Sequence, residues 1–399
     1  MPYSYSDNYS DLYDVAKRND AEQKLNSFVN GLKKIDINKS PYTILSIQDY
    51  ESYKELHHIS DFIKKEYRDV VIIGIGGSAL NPKIATSFKG TSDISIHYLD
   101  TTDPIHYEAF KKKVVLRECF FLVISKSGNT IEVLSVLGAV LNDIGEYKKS
   151  QFCFLTGLNN NHIRDIANDM GAMILTHGEE IGGRFSTFSN VAILPGLLHG
   201  SDMKRFLEGS NKVLHDFWEN KGNSLPAKSS ASLFLYNKPI IVNIGYTRFF
   251  TDFLNWNSQI IGESLGKDGK GFTPIHNIGP IDQHSVFQLY LDGPRDKVFT
   301  FLYSRNSGSN INKIKNIPFL KNKTLEDVNE IEYRATLSSC RELGLPTRNI
   351  LIDAIDEYSI GALAMHSIIE ILTVAYLMDI SPFGQPAVER IKSNIKALL

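Results

Sequence analysis

Cysteine is scarce in this chain, with 3 among 399 residues, at positions 119, 153 and 340. No two of them lie close enough in sequence to suggest a metal knuckle or a disulfide framework. A disulfide-stapled secreted scaffold is therefore excluded, and a reducing, cytoplasmic setting is the expectation. The 11 histidines form no His-x-x-x-His or His-x-x-Glu-His pair, so no zinc signature is present and no metal is expected. An excess of one charge is also missing: 43 basic against 45 acidic residues leaves −2, too little to recruit nucleic acid or an anionic membrane. The apolar runs read as shorter than the ~20 residues a membrane helix needs, so no membrane partner is expected. The first 25 residues are polar, rich in Tyr, Asp and Lys, and carry no signal-peptide core. Low-complexity tracts are absent, and the Ser-, Asn- and Lys-rich stretch 306–323 is the expected mobile loop.

What is present is an ordinary globular composition, 42% hydrophobic and 22% charged, in a chain long enough for two domains. Residues 1–50 read as a helical lead-in, with a helix over 20–34. From residue 69 short apolar runs alternate with helical periodicity: strands are expected over 70–73, 94–99, 120–125 and 152–156, with a helix over 132–141. A second round follows, with strands over 239–244, 298–303 and 350–352 and closing helices over 358–378 and 386–398. Such alternation implies an α/β fold of two doubly wound, mostly parallel sheets covered on both faces. The expected domains are 51–205 and 206–399.

Several polar clusters fall where strands end. The run Val70 to Leu80 is a buried-strand pattern followed by glycines at 74, 76 and 77 and then Ser78. A bare turn of this kind lets backbone N–H groups and a helix dipole face an anion, although it also serves plain strand–helix packing. The third strand leads into Ser125-Lys126-Ser127-Gly128-Asn129-Thr130. A helix N-cap needs one hydroxyl, and three here favour a phosphate cradle. Arg184 follows Gly182 and Gly183, which clear a path for a permanent cation, or it is a surface ion-pair arginine. Gln259 and Glu263 share one face of an apolar helix that Gly266 ends, making Glu263 a candidate general base or a solvent-facing glutamate. His284 sits in the polar cluster Asp-Gln-His-Ser ahead of a helix over 286–291, and Gln385 and Lys392 share a face of the last helix, opened by Pro386.

Taken in order, these motifs resemble the glucose-6-phosphate isomerase (phosphoglucose isomerase) family. The matching elements are Gly-Ile-Gly-Gly-Ser, Ser-Lys-Ser-Gly-Asn-Thr, Gly-Gly-Arg-Phe-Ser, Gln-x-x-x-Glu-Ser-x-Gly-Lys, Asp-Gln-His-Ser and Gln-Pro-x-Val-Glu-x-x-Lys, spread over residues 70–392. The resemblance implies two sugar-isomerase (SIS) domains and cofactor-free interconversion of glucose 6-phosphate and fructose 6-phosphate, a step of glycolysis and gluconeogenesis. It assigns the phosphate to Ser78, Ser125, Lys126, Ser127 and Thr130, and the proton transfer between C2 and C1 to Glu263. Arg184 would stabilise the enediolate, His284 and Lys392 would assist ring opening, and Gln259 and Gln385 would contact substrate. Because the family's histidine reaches the site from a neighbouring subunit, a homodimer sharing its active sites is implied.

Two positions depart from the pattern. Asn81 stands where glycine is usual in the first motif, and Gly384 where an acidic residue commonly precedes Gln-Pro. The chain is also short for the family. Three rivals stay open: an isomerase for another aldose phosphate, a non-catalytic sugar-phosphate sensor, and a nicotinamide dehydrogenase. The last draws on Ala79 at the third glycine position and Asp100 near the end of the second strand, but the downstream motifs oppose it.

Overall fold

The computed structural model describes residues 1–88, 90–306 and 312–399. Positions 307–311 of the expected loop thus lie outside the described residues. Ten strands occur among the described residues: β1 (Tyr3–Asp7), β2 (Asp69–Ile73), β3 (Ser95–Leu99), β4 (Cys119–Ser125), β5 (Phe152–Thr156), β6 (Met173–Thr176), β7 (Ile240–Gly245), β8 (Thr273–Ile278), β9 (Lys297–Ser304) and β10 (Thr347–Ile352). They form two five-stranded sheets, ordered β3-β2-β4-β5-β6 and β1-β10-β9-β7-β8. The chain divides into two compact units, one of residues 38–208 and one of residues 1–37 with 209–399.

In the unit 38–208 every strand pair is parallel, with Asp69 of β2 in register with both Ser95 and Cys119. Val70 to Ile73 are all fully buried. Both faces of β2 are covered, which is why its sequence runs apolar instead of alternating. Val71, Ile73, Phe121, Val123 and Phe154 pack in one cluster with Val133, Val136, Leu137 and Val140 of the helix Ile131–Ile144. Val70, Ile72 and Leu122 are equally buried and alternate to the opposite face. The carboxyl ends of β2 and β4 run straight into the two candidate binding turns, the position where open α/β sheets present their ligand loops.

In the other unit β7, β8, β9 and β10 are parallel, and β9 is buried along its whole length. Phe299, Phe301 and Tyr303 pack against Tyr333, Leu337 and Cys340 of the helix Leu325–Glu342. Here the structure corrects the expected helical lead-in. Tyr3–Asp7 is a strand that pairs antiparallel with β10, Tyr3 opposite Ile352 and Asp7 opposite Arg348. The helix expected at 20–34 spans Val15–Leu32, and residues 38–50 belong to the other unit. A second correction concerns apolar length. The helix Glu357–Leu377 has 21 residues and holds an 18-residue stretch of mean hydropathy 1.7, long and apolar enough to cross a membrane, yet 89% of that stretch is buried within the fold. Being surrounded on all sides explains its composition. Side chains such as Leu363, Ile368, Ile369, Ile371 and Leu372 are lost to solvent, each contributing about 1.5–3 kcal/mol by its burial.

Candidate active site

Within the unit 38–208, three segments carry the candidate residues. The first is the glycine turn after β2. Gly76 adopts φ +57°, and the helix Gly77–Ala85 begins immediately, placing half-buried Ser78 in its first turn. A Cβ at Gly77 would collide with the carbonyl of Gly183, so this turn and the arginine turn meet backbone to backbone. No larger residue could stand there.

The second segment is the hydroxyl loop after β4. Ser125 Oγ lies 3.1 Å from Thr130 Oγ1, and Ser127 Oγ lies 3.3 Å from the same atom. The three hydroxyls therefore converge on one another. Thr130 occupies the cap position of the helix Ile131–Ile144 but makes no side-chain cap bond to it. That weighs against plain capping and leaves the positive helix end to a ligand. Gly128, at φ +63°, sits against Asn161, which a Cβ would strike. Lys126 Nζ donates to the Glu179 carbonyl at 2.6 Å and to the Ile181 carbonyl at 2.8 Å. Burial lowers its proton affinity, while Glu179 and Glu180 work in the opposite direction.

The third segment is the turn Gly183–Phe188. Arg184 is only 4% exposed, with its guanidinium 5.0 Å above the Phe185 ring, so it is not a surface ion-pair residue. His177 supports this turn from beneath. Its Nδ1 donates to the Gly178 carbonyl at 2.9 Å, which leaves Nε2 to accept from the Ser186 hydroxyl at 3.1 Å. Burial, more than the nearby Lys126 charge, pushes its pKa down to about 4, so it is neutral at working pH.

In the other unit, the helix Phe250–Leu265 buries Phe253, Leu254, Trp256, Ile260 and Ile261, leaving Gln259 and Glu263 half-buried together. Gln259 Nε2 donates to Glu263 Oε1 at 2.9 Å, which orients the carboxylate. Gln259 Oε1 is buried with no partner among the described residues. Gly266 follows as the helix C-cap, and Lys267 Nζ donates to the carbonyls of Ser381 and Phe383 at 2.7 and 2.6 Å. The end of the Glu263 helix is thereby tied to the segment leading into Gln385. Gly384 has φ +70°, a conformation an acidic residue would hold only under strain, and this accounts for the glycine there. Gln385 caps the helix Pro386–Leu398, on which Lys392 pairs with Glu389 at 2.7 Å in the open. His284 is exposed at the end of the turn Ile281–His284, and Gln283 beside it anchors that turn on Tyr246 and Thr336 at 2.7 and 2.6 Å.

One unit thus holds a hydroxyl cradle and a buried arginine, and the other a glutamine-held carboxylate and a terminal lysine helix. Three contributors lie beyond the reach of sequence reading. Asn81 reads there as a bare departure, His177 lies in no motif, and Lys267 belongs to a motif without a task of its own.

The fold is one that solved phosphosugar isomerases share, a class of α/β proteins. The crystal structure of tagatose-6-phosphate ketose/aldose isomerase from Escherichia coli shares the fold at a TM-score of 0.53, with 13% identity over 92% of this chain and 94% of that one. Within that class the match narrows. Residues 15–241, more than half of the chain, match the phosphoglucose isomerase family, and the chain belongs to it. Glucose-6-phosphate isomerase of Methanocaldococcus jannaschii is 29% identical over 378 residues, covering 92% of this chain and 91% of the relative. A hypothetical protein of Thermus thermophilus, known from its crystal structure, superposes at a TM-score of 0.87 with 27% identity, over 95% of this chain and 94% of that one.

Proposed function

We propose that this chain is an aldose–ketose isomerase interconverting glucose 6-phosphate and fructose 6-phosphate, as in glycolysis and gluconeogenesis. The observation that carries the reading is the Gln259–Glu263 pair. A sensor needs a cradle but no oriented base, and here a glutamine amide holds the carboxylate at 2.9 Å on a helix with a buried apolar face. Isomerisation requires such a group, because a proton α to a carbonyl is weakly acidic. Once the ring is open, Glu263 removes the C2 proton and the C–H electrons form the C1–C2 double bond, displacing charge onto O1. The same carboxyl returns its proton to C1, while the O2 proton moves to O1. The product is the ketose, with no net gain or loss.

The permanent charge of buried Arg184 supports the enediolate between the two transfers. Ser78, Ser125, Ser127 and Thr130 hold the phosphate, with Lys126 adding positive charge beside them. Grip on the remote phosphate supplies binding energy that offsets the orientation of the reacting carbons. His284 and Lys392 serve ring opening. The orphaned Gln259 Oε1 is an acceptor that a sugar hydroxyl satisfies, and Gln385 contacts the same substrate. Exposed His284 suits delivery to a neighbouring subunit's site, which supports a homodimer as the working form.

The test is direct. The purified protein should form glucose 6-phosphate from fructose 6-phosphate in the presence of a chelator, and should sediment as a dimer. Phosphate-ester binding without turnover would instead establish a sensor.

A further inference from the structure

Asn81 lies one helical turn after Gly77 and is fully buried. A buried carboxamide is retained only where its donors and acceptor are satisfied, and here the partners lie on both binding turns. Nδ2 donates to the Gly77 carbonyl and, at 2.9 Å, to the Gly183 carbonyl. Oδ1 accepts from the Thr187 hydroxyl at 2.6 Å. One side chain thus grips the residue before Ser78, the residue before Arg184 and a residue at the far end of the arginine turn. The Gly77–Gly183 approach leaves no room for a side chain between the turns, so the carboxamide bonds from the side at the point of closest passage.

We infer that Asn81 is a positioning residue for the reaction, fixing Arg184 relative to the Ser78 turn without touching substrate. The inference rests on the isomerase reading above and adds to it a distance constraint between phosphate grip and enediolate support. Lys126 and His177 hold the stretch just upstream, at the carbonyls of Glu179, Ile181 and Gly178, but neither reaches Gly183 itself. Asn81 fills that place.

Asn81→Ala removes the three bonds described above. Turnover of fructose 6-phosphate should fall about 10²-fold, the scale of a misplaced catalytic group, while KM and inhibition by inorganic phosphate stay within about threefold of wild type. Thr187→Val keeps the two donor bonds and loses the third, so a smaller loss, about fivefold in kcat, is expected. An independent readout needs no turnover: phenylglyoxal modification of Arg184, mapped by mass spectrometry, should accelerate at least tenfold in Asn81→Ala. Unchanged kcat and unchanged Arg184 reactivity in a folded variant would overturn the inference, as would equal losses in kcat and in phosphate affinity. Should Asn81→Ala fail to fold, Thr187→Val decides by the same two measurements. A wild-type protein without turnover whose Asn81→Ala variant still exposes Arg184 would retain the placement and refute only the isomerase reading.

Discussion

Glu263 carries the heaviest demand of any residue in the proposed chemistry, and its surroundings match it. It stands beside an apolar face and is oriented by the amide of Gln259. Replacing Glu263 by Gln removes the base but preserves shape, so turnover should drop by about 10³-fold or more, within or just beyond the range for a lost general base. Inhibition by inorganic phosphate should be unaffected, since the hydroxyl cradle lies on the other sheet's loops; steady-state kinetics with and without phosphate separate the two. Motif residues of this kind were legible in sequence because their chemistry limits what can stand there. Residues that position them were not. Asn81 acts through a hydrogen bond to the Gly183 carbonyl, on a loop distant in sequence, and His177 through bonds to the adjacent Gly178 carbonyl and to Ser186, and no periodicity records such partners.

At the scale of elements, β1 is held by more than its ladder. Tyr3 Oη and His366 Nδ1 are 2.8 Å apart inside the core, joining the strand to the helix Glu357–Leu377. Tyr3→Phe leaves that ring nitrogen without its partner and should cost about 1–3 kcal/mol, read from the midpoint of a denaturant titration at unchanged slope. Seven of the ten strands were legible to within about three residues, and the three that were not, β1, β6 and β8, all lie at sheet edges. An edge strand covers one side at most. β1 alternates Tyr and Ser, and β8 carries Pro274, which an edge tolerates because it needs no ladder donor on its open side. Central strands such as β2 and β4 announce themselves through unbroken apolar runs; of the four edge strands only β3 was legible.

For the whole molecule, each compact unit buries one neutral histidine, His177 in one and His366 in the other, both with pKa lowered to about 4 chiefly by burial. In the unfolded chain both protonate near 6.5, so the folded state binds fewer protons between those values. Stability is therefore complete above pH 6.5 and is lost progressively as pH falls toward 4, by up to about 1.4 kcal/mol per pH unit for each histidine. Thermal melts from pH 7 to 4 should show this slope, and His177→Asn should flatten its share.

The antiparallel pairing of Tyr3–Asp7 with Thr347–Ile352 has a consequence for the order in which the molecule can be made. During synthesis the first strand emerges more than three hundred residues ahead of its partner in the sheet. Residues 38–208 contain a complete parallel sheet and can mature on the ribosome alone. The opening strand has to wait, and its docking becomes a late step that follows synthesis of Thr347–Ile352.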